Sequence, residues 1–298
     1  TSALLYSQAG NQDLKWETSA QTNIGIDVSL FHNRVSFELN YYNKDVDNLI
    51  LEVPQAPSKG IPSDPVNTIL LNVGSLYNRG FEFTATAVPV ETPDFRWTTN
   101  FNITTNKNRV TSLGVDDSPL LGTTGSLELT SITQVGSPAA SLYVVKTDGI
   151  NPENGRRIFI NAAGERVQYQ HLGGANAWTY LDGTRAPAVS GADAQIGENT
   201  LPTWYGGFNN TLEYKGFDFT FSGGNYIYNG TKAGLRDQRI WNNATEVLDA
   251  WTETNTNGKI PRAIYGDNVS NGSSFAISEN VEKGDFLRLQ TVTLGYSF

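Results

Sequence analysis

Residues able to do chemistry gather beside aromatic rings in this chain. Trp178 and Tyr180 lie near Asp182 and Arg185, while Arg236, Asp237, Arg239 and Asn242 surround Trp241, with Trp251 further on. Aromatic faces beside amides, carboxylates and guanidinium groups suit sugars or peptides, because stacking on the ring combines with directional hydrogen bonds. Trp178, Tyr180, Arg236, Arg239, Trp241 and Trp251 are therefore the candidate ligand- or partner-binding residues. The competing reading is that the same rings pack loops together.

Other chemistry finds little support. The paired carboxylates Asp116 and Asp117 sit in a Gly/Ser-rich stretch where solvated turn acids are the simpler reading. No nucleophile-elbow, zinc-protease or phosphate-loop pattern occurs, so no catalytic residue is assigned and no enzyme is expected. The oxygen-rich stretch Asp148, Asn151, Glu153 and Asn154 invites calcium, but counting from Asp148 puts Ile150 and Pro152 where an EF-hand needs ligands, so it reads as a turn. Cysteine is absent and His32 and His171 are the only histidines, which argues against thiolate or histidine-rich metal centres; no metal and no cofactor is expected. A net charge of −9 disfavours nucleic acid as a partner.

The elements that must carry these groups have a two-residue period. Ala20, Thr22, Ile24, Ile26, Val28 and Leu30 alternate with Gln21, Asn23, Gly25, Asp27 and Ser29; Val35, Phe37, Leu39 and Tyr41 alternate with Ser36, Glu38 and Asn40. Such strands have one apolar and one hydrophilic face. The pattern predicts seven long strands, near 18–31, 34–46, 75–88, 95–107, 201–214, 217–228 and 285–298. A membrane-crossing strand needs about 9–11 residues, and ordinary strands average roughly 5–6. The mean hydropathy of −0.35 conceals this, because half of each strand faces a polar lumen. Gln21, Asp27, Glu38, Asn40, Glu82, Arg96 and Asn102 fall on that lumen side, whereas Trp16, Trp97 and Trp204, near strand ends, read as interfacial belts.

Connections alternate in length. Short ones lie at 32–33, 89–94 and 215–216; long ones at 47–74, 108–200 and 229–284. Short turns face the periplasm and long loops the exterior in outer-membrane barrels. Within the long connections, 137–161 reads as a hairpin on a Gly/Pro/Asn turn, 244–253 as one or two helical turns, and 185–200 as an irregular linker. The expected fold is all-β: an antiparallel transmembrane β-barrel segment with long extracellular loops, residues 1–298 forming part of one barrel domain. An odd strand count and a first residue other than Met are expected of part of a larger chain, whose remainder would pair the open edges.

Several segments carry a family likeness. LKWETSAQTNIGIDVSLFHNRVSFELNYYNKDVDNLI at 14–50, NVGSLYNRGFEFTATAVPV at 72–90, DGINPENG at 148–155, LPTWYGGFNNTLEYKGFDFTF at 201–221 and FLRLQTVTLGYSF at 286–298 resemble, in order, the SusC-like TonB-dependent outer-membrane transporters of Bacteroidetes. The resemblance implies a 22-strand barrel, with a plug domain and a TonB box lying upstream of these residues. It implies a SusD-like lipoprotein partner at the extracellular mouth, contact with the TonB complex through the upstream region, outer-membrane lipid around the barrel, and import of oligosaccharides or peptides, glycans somewhat favoured. Phe298 is either an internal strand residue or the aromatic end of a barrel; both stay open. Alternative functions are a siderophore- or cobalamin-type TonB-dependent receptor and a non-transporting all-β adhesin or binding protein.

Overall fold

A computed structural model describes residues 10–297, apart from 57, 59, 61–67, 125–127, 198, 227–228, 232–247, 271 and 273. In chain order the strands are β1 (Thr18–Leu30), β2 (Val35–Pro54), β3 (Thr68–Glu91), β4 (Phe95–Thr105), β5 (Lys107–Leu113), β6 (Leu120–Thr124), β7 (Glu128–Thr133), β8 (Ser141–Val144) and β9 (Lys146–Ile150). They continue as β10 (Arg157–Ile160), β11 (Arg166–Tyr169), β12 (Trp178–Tyr180), β13 (Gln195–Ile196), β14 (Trp204–Tyr214), β15 (Phe217–Tyr226), β16 (Asn229–Thr231), β17 (Val281–Lys283) and β18 (Phe286–Tyr296). The large sheet runs β1-β2-β3-β4-β14-β15-β18, all antiparallel, with β5 pairing β3 beyond the end of β4.

Register keeps the alternation of neighbouring strands in phase. Ile26, Leu39, Phe83 and Ile103 form one row, and Val28, Phe37, Ala85, Phe101 and Phe208 the next but one. Between them runs Asp27, Glu38, Thr84 and Asn102. Ile24, Ile26, Phe81, Phe101 and Phe208 are exposed in the isolated chain, as a lipid-facing surface must be. On β14 this face begins with Trp204 and ends with Tyr214. Ten residue steps at about 3.3 Å, tilted by about 40°, give a band roughly 25 Å tall, matching a bilayer core.

Aromatic residues mark both edges. Phe95, Tyr214, Phe217 and Tyr296 share one row at the short-turn end, where Phe217 and Tyr296 lie 4.5 Å apart between ring centroids. Tyr41 and Phe81, 5.3 Å apart, mark the opposite edge with Trp204. Trp97 departs from the belt role. It lies inside the band, and its indole N–H donates to Oδ1 of buried Asn210 at 3.0 Å, covering a polar residue in the apolar row.

The short turns are built tightly. Phe31, His32 and Asn33 all take positive φ, and Arg34 folds back to donate to the carbonyls of Val88 and Pro89 at 3.1 Å each. Lys215 and Gly216 form a two-residue hairpin turn with φ of 47° and 86°. On the inner face of this end, Arg96 lies 3.7 Å from Glu91 and 4.0 Å from Glu213.

The described parts of the long connections are more ordered than their sequences predict. The 47–74 connection is largely strand: β2 runs on to Pro54 and β3 starts at Thr68, after register shifts between Val46 and Leu49 and between Leu49 and Ile50. Those bulges break the period-two signal, which is why the extension reads as loop. The 108–200 connection contains most of β5 and all of β6–β13, and β16 and β17 pair at the base of the 229–284 connection. Part of 244–253 lies outside the described residues. The remainder holds 3-10 helical residues at 248–249 and is bridged beyond them, Ala250 with Ile260 and Thr252 with Asn255.

The two faces respond differently to charge. Phe37→Arg, in a row four pairs from Trp204 and six from Tyr214, should destabilise the full-length barrel by about 2–4 kcal/mol in chemical unfolding from lipid vesicles. Asn40→Asp on the inner face should cost far less, and equal costs would mean the faces are reversed.

Candidate functional site

Past the upper edge of the apolar band the long connections fold into one lobe. β12-β11-β10-β9 and β13-β8-β7-β6 make two small sheets. Val145, Phe159, Val167, Ala186, Val189 and Ile277 form a shared buried core, so 185–200 contributes core residues rather than a free linker. The lobe is tied to the large sheet through β5: Val110 exchanges backbone hydrogen bonds with Gly136 and Ser137, and Asn108 Oδ1 accepts from Ala139 N at 2.8 Å.

Residues from the 108–200 and 229–284 connections together complete this core. Val145 pairs in parallel with Ile277, and its N–H and carbonyl bond Ala276 and Ser278 at 2.9 Å each. Arg157 is wholly buried; its Nε donates to the Ser270 carbonyl at 2.6 Å, and Nη1 lies 3.4 Å from Glu279. Burying a guanidinium is tolerated only with partners of this kind. The predicted hairpin over 137–161 forms on its Gly/Pro/Asn turn, with a shorter first arm. β9 pairs β10, but Leu142–Val144 pairs β7 and β13 instead.

The 148–155 turn uses its oxygens on itself. Asn151 Oδ1 accepts from Glu153 N at 3.0 Å, its Nδ2 donates to Gln168 at 3.0 Å, and Asp148 pairs with Arg166 at 2.8 Å. Gly155 holds φ 71°, and a Cβ there would strike the Trp251 ring. Asp117 likewise serves a turn, accepting from Leu113 N at 2.7 Å.

The aromatic candidates have definite places. Trp178 is half-buried, edge-on to Phe159 at 5.2 Å and tilted on Tyr169 at 4.9 Å. Tyr180, on the same strand, donates its hydroxyl to Glu165 at 3.1 Å, and that hydrogen bond holds its phenol above the ordinary value. Asp182 accepts from the Thr184 hydroxyl and N–H, which lowers its carboxyl. Trp251 donates to the Pro152 carbonyl at 2.9 Å and lies against the 148–155 turn. Arg236, Arg239 and Trp241 lie outside the described residues. The three placed rings hold the lobe together, while their free edges remain at its surface.

Sequence reasoning missed a cavity of about 720 Å³ in the lobe, within the ~300–1,000 Å³ usual for ligand sites. Leu142, Val144 and Ile160 form an apolar part, and Lys146, Lys283 and Gln195 supply polar groups. Both lysines are exposed and the chain positions are far apart, so spacing gave no signal beyond a single Lys following Val144 and Val145. An apolar floor with two ammonium groups can hold an amphipathic ligand that carries carboxylate or hydroxyl oxygens.

Trp178→Ala should remove about 2–4 kcal/mol from the lobe, the lower range for an aromatic deletion because the ring is half-exposed. Hydrogen exchange of the full-length receptor should show faster exchange over β10–β12 with the large sheet unchanged; a protected lobe would assign the ring to ligand contact alone.

The same architecture recurs among known proteins. Residues 1–271 match the family described as TonB dependent receptor-like, beta-barrel. TonB-dependent receptor P26 of Formosa agariphila is 34% identical over 99% of this chain and 29% of its own length. TonB-dependent receptor SusC of Bacteroides thetaiotaomicron is 27% identical over 98% of this chain and 27% of its own. The RagAB peptide importer in its open-open state superposes with a TM-score of 0.76 at 21% identity, over 97% of this chain and 29% of that one. The chain thus spans under a third of the length of the relatives it matches. Alternating lipid-facing rows, girdled strands and this ancestry together place the chain in the TonB-dependent receptor β-barrel family, as a SusC-like outer-membrane barrel chain.

Proposed function

We propose that this chain is the lobe-bearing part of the barrel of an energy-coupled importer that takes up oligosaccharides or peptides with a SusD-like lipoprotein. The observation that carries the reading is the cored extracellular lobe, built jointly from the 108–200 and 229–284 connections and holding an apolar, lysine-rimmed cavity. The RagAB likeness and the SusC relationship support the same class of nutrient. The edges of β1 and β18 would continue into further strands of the same barrel, since unpaired backbone groups are costly in hydrocarbon. The inner-face residues Asp27, Glu38, Glu82, Arg96 and Asn102 would then meet the plug, and the TonB complex would act through the upstream region.

Point substitutions test this better than loop deletion, which would open the shared core. With the full-length receptor and its lipoprotein, Lys146→Glu with Lys283→Glu should reduce growth on the imported glycan or peptide. Loss of charge-assisted hydrogen bonds predicts about ten- to a hundredfold weaker ligand binding, with assembly unchanged. A defect confined to iron-limited medium would transfer the reading to a siderophore receptor.

A further inference from the structure

The lipid-facing rows change character abruptly at the outer edge of the band. Beyond the row of Ile24, Tyr41 and Phe81, the next two outward rows read Thr22, Asn43, Arg79, Lys107 and then Ala20, Asp45, Tyr77, Arg109. Three cations meet one carboxylate there, in a chain whose net charge is −9. Arg79, Lys107 and Arg109 are all exposed, and no ion pair joins them to an acid among the described residues. Asp45 is engaged by Asn43 Nδ2 at 2.6 Å.

The two arginines are held in place. The Arg79 guanidinium lies 3.9 Å from the centroid of the Tyr77 ring and donates to its hydroxyl. Arg109 Nε donates to the Gly136 carbonyl at 2.7 Å, and its guanidinium also hydrogen-bonds the Tyr77 hydroxyl, which fixes the side chain beside Arg79. Tyr77, between the two arginines, is buried beneath them. Strand rise puts Arg79 about 7 Å along β3 from Phe81, hence roughly 5 Å above the girdle once tilt is included. That is the height of headgroups, and the short turns on the far side assign it to the outer leaflet.

We propose that Arg79, Lys107 and Arg109 form a docking surface for the phosphate of an outer-leaflet glycolipid, whose acyl chains lie along the apolar rows below. Guanidinium forks match phosphate oxygens bidentately, and the ammonium of Lys107 adds a point charge beside them. Basic residues clustered next to a membrane face bind anionic headgroups additively, by about fivefold per cation. The occupant is a lipid because the surface is an outward sheet face continuous with the hydrocarbon-facing rows, without walls that could enclose a free ion.

The test uses the assembled full-length receptor in phosphatidylcholine nanodiscs doped with monophosphoryl lipid A or its dephosphorylated form, read by native mass spectrometry. Arg79→Gln, Lys107→Gln and Arg109→Gln together should weaken retention of the phosphorylated lipid by about a hundredfold. The dephosphorylated lipid should be retained weakly and equally by both proteins, and Lys215→Gln at the opposite turn should change nothing. Lys107→Gln and Arg109→Gln singly, expected at about fivefold each, decide the matter if the triple variant does not assemble. Unchanged retention in these variants overturns the proposal. So does displacement of the lipid by millimolar inorganic phosphate, which would make the cluster a site for a soluble anion.

Discussion

Backbone pairing is the constraint on which everything else here depends. In hydrocarbon no water can satisfy an N–H or C=O group, so each must bond a neighbouring strand. The large sheet meets this with continuous antiparallel ladders, and continuity in turn fixes register. A slip of one residue would put Asp27 and Glu38 into lipid and Ile26 and Leu39 into the lumen. Alternation is therefore the chemical record of a pairing that cannot slide.

Departures from that record are placed where they do structural work. Within Asn78–Glu82, Asn78 bonds Asn108 at 2.9 Å on the inner side and Phe81 joins the girdle. Gly80 lies opposite Tyr42, whose hydroxyl reaches the Thr105 carbonyl at 3.0 Å and Asn106 Oδ1 at 2.8 Å; a Cβ on Gly80 would collide with both the Thr105 carbonyl and the phenol. The glycine lets the Tyr42 side chain reach across β3 and tie β2 to the junction of β4 and β5. Buried Asn210 under Trp97 is the opposite case, a polar group within the apolar row whose acceptor is satisfied by an indole.

The lobe obeys a different physics. It lies beyond the band, where water is available, so its strands are short and its stability comes from a packed core. Because that core draws on Val145, Phe159 and Val167 from one connection and Ile277 from another, the two connections order each other. Trp178, Tyr180 and Trp251 are used chiefly as fasteners, leaving Lys146 and Lys283 to present charge at the cavity.

The sequence by itself determined the membrane sheet: strand faces and short turns are local properties of a two-residue period, and segments such as 72–90 and 148–155 carry the likeness to SusC-like barrels. It also marked the aromatic candidates, but not what they do, since Trp178 beside Phe159 and Trp251 on Pro152 are contacts between residues far apart in the chain. Only the tertiary structure decided the extension of β2 and β3, hidden by bulges; the joining of two loops around Val145 and Ile277; and the grouping of Arg79, Lys107 and Arg109 on one outward face. Lipid imposes a pattern on every membrane strand, so that part is written residue by residue. A core in water asks only that apolar surfaces meet, and which surfaces meet is settled when the chain folds.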